Sequence, residues 1–234
     1  MKFKVDPKIF EKYPEAVIGV VVVKAADNTG EISPEVIKSL RAEESRIKSS
    51  FQSETFSQEP RIDCWRKAYA SFGVKPKDAK SSVEALYKMV LRGVELRKIN
   101  KLVDLYNYIC LKYMFPVGGE DIDKIVGDLQ LTFASADEKP VKLLGDAGPE
   151  PPKEGEVFYR DDEGAICRCW NWREAERTML TEKTTNAILV VEGLGSAKNE
   201  IIQATKELPE LVINVCGGSV STSILDCNNT EIEL

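Results

Sequence analysis

Residues 167–193 read CRCWNWREAERTMLTEKTTNAILVVEG, and the change of character within this stretch decides how the chain is read. Trp170, Asn171, Trp172, Arg173, Glu174, Glu176, Arg177 and Thr178 form a dense cluster of large amphipathic and hydrogen-bonding side chains. Directly after it, Ala187 to Val191 is an apolar, β-branched run that reads as a buried strand. A polar, aromatic loop delivered by a core strand is how scaffolds present binding or catalytic groups. The same residues also fit a structural reading, in which the tryptophans cap a core and the charges pair on the surface.

Working outward, Ala16–Lys24 (AVIGVVVVK) is a second apolar, β-branched run and reads as a central strand buried on both faces. Ser33 followed by Pro34 starts a helix that runs to about Ser50. Ile62, Trp65, Ala68, Tyr69 and Phe72 recur at helical spacing, and Gly73 ends that helix. Ser81 and Glu84 have capping-box spacing ahead of a helix that Gly93 stops. Strands are expected at Leu129–Ala134, Val141–Leu144, Val157–Arg160 and Ala165–Trp170, followed by a helix from Ser196 to Leu208. Leu211–Val215 and Val220–Leu225 read as a closing pair of strands or a helix end and a strand. Helices first and strands afterwards point to an α+β class within one domain spanning 1–234.

The 234 residues contain no histidine, which removes Ser-His-Asp and Cys-His mechanisms together with the commonest metal ligand. Cysteines at 64, 110, 167, 169, 216 and 227 form no CxxC pair, so neither a zinc site nor a thioredoxin-like motif is expected, and no metal or cofactor. Cys167 and Cys169, alternating on a strand, are expected to share a face. A formal charge of −6 argues against sequence-blind binding to duplex DNA. The longest apolar run, Ala16–Val23, is too short to span a bilayer, so no membrane partner is expected and the chain reads as cytoplasmic.

Two further stretches carry polar content. Arg97, Lys98 and Lys101 follow Lys88 and Arg92 in the most basic part of an acidic chain, which is either a solvated helix end or a phosphate-contacting edge. In NKLVDLYNYICLKY, residues 100–113, Asn100, Asp104 and Asn107 fall at i, i+4 and i+7 and are expected to form a polar stripe opposite the apolar face. An N-cap at Asn100 with a wet face beyond it is the structural alternative. Gly118 and Gly119 then allow close approach of a ligand to backbone.

NKLVDLYNYICLKYMFPVGGEDIDKI, together with EGEVFYRDDEGAICRCWNWREAERTMLTEKTTNAILVVEGL, resembles the tRNA-binding and editing domain built from the third and fourth modules of the bacterial phenylalanyl-tRNA synthetase beta subunit. It is closer still to free-standing copies of that domain, and the resemblance is strongest over 62–194. It implies a three-layer α+β domain with a helical N-terminal half around a β-sandwich-like sheet core. In the synthetase that domain removes tyrosine from phenylalanine tRNA, and the resemblance implies here a deacylase that removes a mischarged amino acid from tRNA, with the aminoacylated 3′ end and the amino acid as partners and no aminoacylation activity. Asn107 and Glu176 match positions lining the editing pocket and are the catalytic candidates; Gly118 and Gly119 match its rim. Asn100, Asp104, Trp170, Trp172 and Arg173 are expected on the substrate, and Lys98, Lys101 and Arg177 on the tRNA. Three departures stand out: Gly118 replaces a histidine common in the rim loop, Tyr106 replaces a smaller hydroxyl residue, and Trp170–Arg173 replaces a glycine-rich turn.

The resulting expectation is a tRNA-binding hydrolase in which a bound water, the ribose hydroxyl and the substrate ammonium do the chemistry while Glu176 and Asn107 orient them. The alternatives are a non-catalytic tRNA or amino-acid binding module, and hydrolysis of a small ester unrelated to RNA.

Overall fold

A computed structural model describes residues 1–234. Its chain order is β1 (Lys2–Val5), α1 (Pro7–Lys12), β2 (Val17–Lys24), α2 (Pro34–Ser50), α3 (Pro60–Ser71), α4 (Ser82–Leu91) and α5 (Lys101–Tyr113). The second half holds β3 (Val117–Asp121), β4 (Leu129–Phe133), β5 (Val157–Arg160), β6 (Ala165–Arg168), β7 (Arg173–Glu174), β8 (Ala187–Gly193), α6 (Lys198–Cys216), β9 (Ser219–Leu225) and β10 (Glu231–Glu233). The class is α+β, with two sheets ordered β10-β1-β4-β5-β6-β7 and β3-β8-β2-β9.

Local chemistry explains most of the helix starts. Ser33 Oγ accepts from the Val36 N–H, Ser81 Oγ from the Glu84 N–H, and Asn100 Oδ1 from the Val103 N–H, each satisfying a donor that the first helical turn leaves open. β2 is interior to its sheet, antiparallel to both β8 and β9, and its residues from Val17 to Val23 are all buried. Gly19 in its middle has a packing reason. A Cβ there would fall 1.8 Å from Thr205 Oγ1, so only glycine lets α6 lie directly on the strand.

Five expectations are corrected. α6 does not stop at Leu208 but runs through Pro209 to Cys216. Of the two readings of 211–215 and 220–225, a helix end followed by a strand is therefore the one found, because Leu208, Val212 and Cys216 continue the face buried on the core. Val141–Leu144 forms only isolated bridges, Val141 to Glu150 and Leu143 to Ala175. The strand expected over 165–170 ends at Arg168, since Cys169 and Trp170 take φ of 49° and 68°. Cys169 therefore does not continue the face of Cys167. Asn100, Asp104 and Asn107 are no solvated stripe, because helices and β3 surround α5 and all three are buried.

Four strands lie outside what periodicity signalled: β1, β7 and β10, which are short, and β3, where the loop expected at Val117–Gly119 is a strand paired with β8. β1 pairs parallel with β4 and antiparallel with β10, so both ends of the chain complete one sheet. Four and three residues are too few for a period-2 pattern to stand out. A continuous hydrophobic core then runs from Phe3 to Leu225 beneath the helices and between the sheets.

Candidate functional site

The turn after β6 is where the chain departs most from easy backbone geometry. Two successive non-glycine residues in the left-handed region cost on the order of 1 kcal/mol each or more, and persist only where the surroundings over-determine them. The surroundings do so here. Glu156 accepts from the Cys169 N–H at 2.9 Å while its carboxylate also receives Arg168 Nε at 3.0 Å and Nη2 at 2.8 Å. The Trp170 N–H donates to the Val157 carbonyl at 2.6 Å. The Trp170 indole, 1% exposed, stands edge-on to Trp65 with ring centres 5.1 Å apart. Tyr69 Oη donates to Asn171 Oδ1 at 2.9 Å.

The turn forms one wall of a cavity of about 200 Å³ between the two sheets. β3 contributes Val117, Gly118, Gly119 and Glu120; β8 contributes Ile188, Val190 and Glu192; Leu129, Tyr159 and Cys167 come from the facing sheet. Trp170 to Glu174, Leu144 and Ser82 complete it. An apolar cavity of roughly 150 Å³ accepts a benzene ring, so this one has room for a single amino-acid side chain.

Three carboxyls line this space and differ in their partners. Glu192, 1% exposed, accepts from Tyr159 Oη at 2.5 Å, Trp170 Nε1 at 2.9 Å and Asn171 Nδ2 at 2.9 Å. Burial pushes it up to about 7 against the pull of those three neutral donors. Glu174 accepts only the Gly119 N–H, at 3.4 Å, and burial raises it also to about 7. As a residue Glu174 is half-buried, and it lines the cavity. Glu120, 7% exposed, is raised well above its ordinary value by burial and then by Glu174. Its Oε2 has no well-formed hydrogen bond, nor have Ser82 Oγ and Thr178 Oγ1, and the Thr178 hydroxyl nearby opposes part of the rise. The Cys167 thiol is pushed far up by burial and then by Glu174 and Glu120, which keeps it protonated and a poor nucleophile.

The backbone makes room for the central carboxyl. A Cβ on Gly118 would lie 3.2 Å from Glu174 Oε1, and one on Gly119 would lie 2.4 Å from Leu189 Cδ2. The Gly-Gly pair is thus a stretch of strand β3 stripped of side chains, against which a carboxyl and a ligand can both lie.

Of the residues singled out from sequence, Gly118, Gly119, Trp170, Trp172 and Arg173 are brought together around this cavity. Arg173 is ion-paired with Asp146 and stacks over the Trp172 ring at 4.7 Å. Asn107 and Glu176 do not meet. Glu176 sits in a separate, open hollow with Arg177 and Lys142 and pairs with Lys142 at 2.9 Å, whereas Asn107 is buried on α5 outside both spaces. Strand parity would keep Glu174 and Glu176 on one face; they part because β7 ends at Glu174 and the chain, bridged from Ala175 to Leu143, carries Glu176 beyond the cavity edge.

The remaining expected contacts are spent inside the fold. Asn100 caps α5 and bonds the Leu180 carbonyl and Asn28. Asp104 accepts the Ile99 N–H at 3.0 Å. Lys101 pairs with Asp27 at 3.7 Å, and Arg177 forms a two-pronged pair with Asp161 at 2.9 and 2.6 Å. Lys98 alone stays open, 51% exposed and 3.8 Å from Glu31. The sequence pointed to Asn171 and Glu174 only as members of the polar cluster and to Cys167 only as a thiol on a strand, and it gave Glu120, Glu192, Tyr159 and Ser82 no place in the site. Only Glu192 carried a signal, sharing its period-2 face with Ile188 and Val190.

Comparison with known proteins places this arrangement. Residues 64–208, more than half of the chain, match the B3/4 domain. The chain is 33% identical over 79 residues to the phenylalanine–tRNA ligase beta subunit of Fusobacterium nucleatum subsp. nucleatum, covering 34% of this chain and 10% of that protein. It is 31% identical over 101 residues to the same subunit from Psychrobacter arcticus, covering 40% of this chain and 11% of that protein. The match thus spans only 10% and 11% of these curated relatives. Among solved structures, an N-terminal fragment of the phenylalanyl-tRNA synthetase beta subunit from Pyrococcus horikoshii aligns with 93% of this chain and 49% of its own, at 13% identity and a TM-score of 0.46. On the match over residues 64–208, the chain belongs to the B3/4 domain family and is a relative of that domain of the phenylalanyl-tRNA synthetase beta subunit.

Proposed function

We propose that the cavity receives the aminoacylated 3′ end of a tRNA and that the protein hydrolyses a wrongly attached amino acid from it. The observation that carries this reading is Glu174, a carboxyl held near neutrality beside the bare backbone of Gly118 and Gly119 in a space sized for one side chain. A group titrating near 7 is poised to accept a proton at neutral pH. In the ionised state Glu174 takes a proton from a water that attacks the ester carbonyl carbon. The bond from that carbon to the ribose oxygen then breaks, and the proton passes to the departing ribose oxygen. Gly118, Gly119, Trp170 and Trp172 wall the amino acid, and Arg173 stands at the edge of the same cavity.

A binding-only role for an amino acid or aminoacyl group is the second reading. It is favoured by one observation: Lys101 and Arg177, two of the three cations expected on the tRNA, are already paired with Asp27 and Asp161. Both readings are tested with a panel of tRNAs charged with wrong amino acids, beginning with tyrosine on phenylalanine tRNA. Ester loss above the buffer rate, abolished by Glu174→Gln, supports hydrolysis. Binding without accelerated loss supports the second reading, and neither binding nor loss rejects both.

A further inference from the structure

We propose that the group entering this cavity is an alkylammonium, a primary ammonium at the end of a carbon chain, with Glu120 and Glu174 as its counter-charges and Ser82 as a third acceptor. This deepens the preceding reading by naming the chemistry of the ligand, and rests on it only for the choice of cavity.

Charge balance comes first. Three carboxyls line the space and Arg173 is the one basic residue that does; its guanidinium is already committed to Asp146 and the Trp172 face. Glu192 is provided for by Tyr159, Trp170 and Asn171. Glu120 and Glu174 are less well provided for: Glu174 receives one backbone N–H, and Glu120 has only the Thr178 hydroxyl beside it. An anionic ligand would meet repulsion, and a neutral apolar one would leave Glu120 Oε2 buried and unpaired, a state that costs stability.

The unpartnered atoms specify the donor count. Glu120 Oε2 and Ser82 Oγ are both buried without hydrogen bonds, and Glu174 has acceptor capacity to spare. These are acceptors, and an ammonium presents three donors with no acceptor of its own, whereas a phenol or alcohol presents one. The rest of the lining suits the stem: Val117, Leu129, Leu144, Ile188 and Val190 are apolar and would cover methylenes. Depth selects a side-chain amine over an α-amine. Glu120 is the deeper acid, 7% exposed, and an α-ammonium lies one carbon from the carbonyl, so it reaches Glu120 only if the ester is drawn in as well.

The test is calorimetric binding to the full chain at low salt. The probes are Nα-acetyl-L-lysine amide, Nα-acetyl-L-norleucine amide, L-norleucine amide and n-pentylamine. The lysine derivative is expected to bind at least about tenfold tighter than its neutral counterpart. Tight n-pentylamine binding with equal loss in the variants marks a free amine as sufficient. Glu120→Gln and Glu174→Gln should each reduce the preference for lysine about tenfold or more, with circular dichroism confirming that each variant is folded. Equal binding of the two acetylated amides, no binding of any probe, or an unchanged preference in both variants overturns the proposal. L-norleucine amide matching the lysine derivative also overturns it, by assigning the site to an α-amine. Deacylation of mischarged tRNA without amine binding would sink this inference and leave the hydrolase reading standing; amine binding without deacylation would do the reverse.

Discussion

Glu174 Oε1 accepts a hydrogen bond from the Gly119 N–H at 3.4 Å, and this contact joins the two sheets across the cavity. It is the single hydrogen bond to a carboxyl that burial has raised from 4.5 to about 7. A group whose folded-state value lies above its unfolded one binds more protons when folded, so its contribution is complete below about 4.5 and is lost as pH rises through 7. Stability should therefore fall by about 1–3 kcal/mol between pH 5 and 8 on account of Glu174. Urea midpoints across that range, for the parent and for Glu174→Gln, check it: the variant should lack this part of the slope, and parallel curves would refute the shift.

Glu192 has the same raised value and the opposite consequence on substitution. Three donors converge on it, and a glutamine would turn an NH₂ group toward at least one of them. Glu192→Gln is expected to cost about 2 kcal/mol at pH 5, where Glu174→Gln costs less than about 0.5 kcal/mol. Denaturant unfolding of the two variants side by side makes the comparison.

The two glycines of β3 should separate by mechanism. Gly119→Ala drives a methyl to within 2.4 Å of Leu189 and should destabilise by about 1–3 kcal/mol. Gly118→Ala meets only Glu174 Oε1 at 3.2 Å, so it should leave stability nearly intact while displacing the carboxyl and impairing deacylation or ligand binding. Equal effects on stability would show that the Gly118 position is packed rather than open.

Glu176→Gln removes a half-exposed ion pair with Lys142 outside the cavity. Its effect on stability should stay within about 0.5 kcal/mol, and deacylation or ligand binding should be unchanged. A large loss of activity on folded protein would return Glu176 to the site.

Arg168→Met strands the Glu156 carboxyl, 0% exposed, without its cation. The expected cost is about 3–5 kcal/mol, as for breaking other buried pairs from one side. Because Glu156 also holds the Cys169 N–H, the tryptophan turn should loosen, readable as a change in near-ultraviolet circular dichroism of the Trp65–Trp170 pair.

Local chemistry was legible without any tertiary information. Ser33, Ser81 and Asn100 cap helices because an oxygen two or three residues away from an open N–H needs nothing else. β2 was equally plain, since seven buried residues in succession leave no polar position to mislead. The end of α6 was less plain: the helix continues past Leu208 through Pro209 because Leu208, Val212 and Cys216 are buried on the core.

Residue type alone singled out Gly118, Gly119, Trp170, Trp172 and Arg173, because bare backbone and indoles are unusual wherever they fall. Which glutamate faces the cavity was decided elsewhere. Glu174 and Glu176 have the same chemistry and sit two residues apart, and the choice between them depends on a left-handed turn at Cys169–Trp170 and on where β7 ends. Asn107 is buried rather than on an open stripe because a period along α5 fixes relative directions around a helix but not what packs on each side. The sequence by itself determined the helix caps, the central strand, the absence of histidine chemistry and the family. Tertiary structure alone decided which acids share a cavity and which lie outside it, because a side chain's neighbours across two sheets are set by strand pairing over long separations, and no local pattern encodes that pairing.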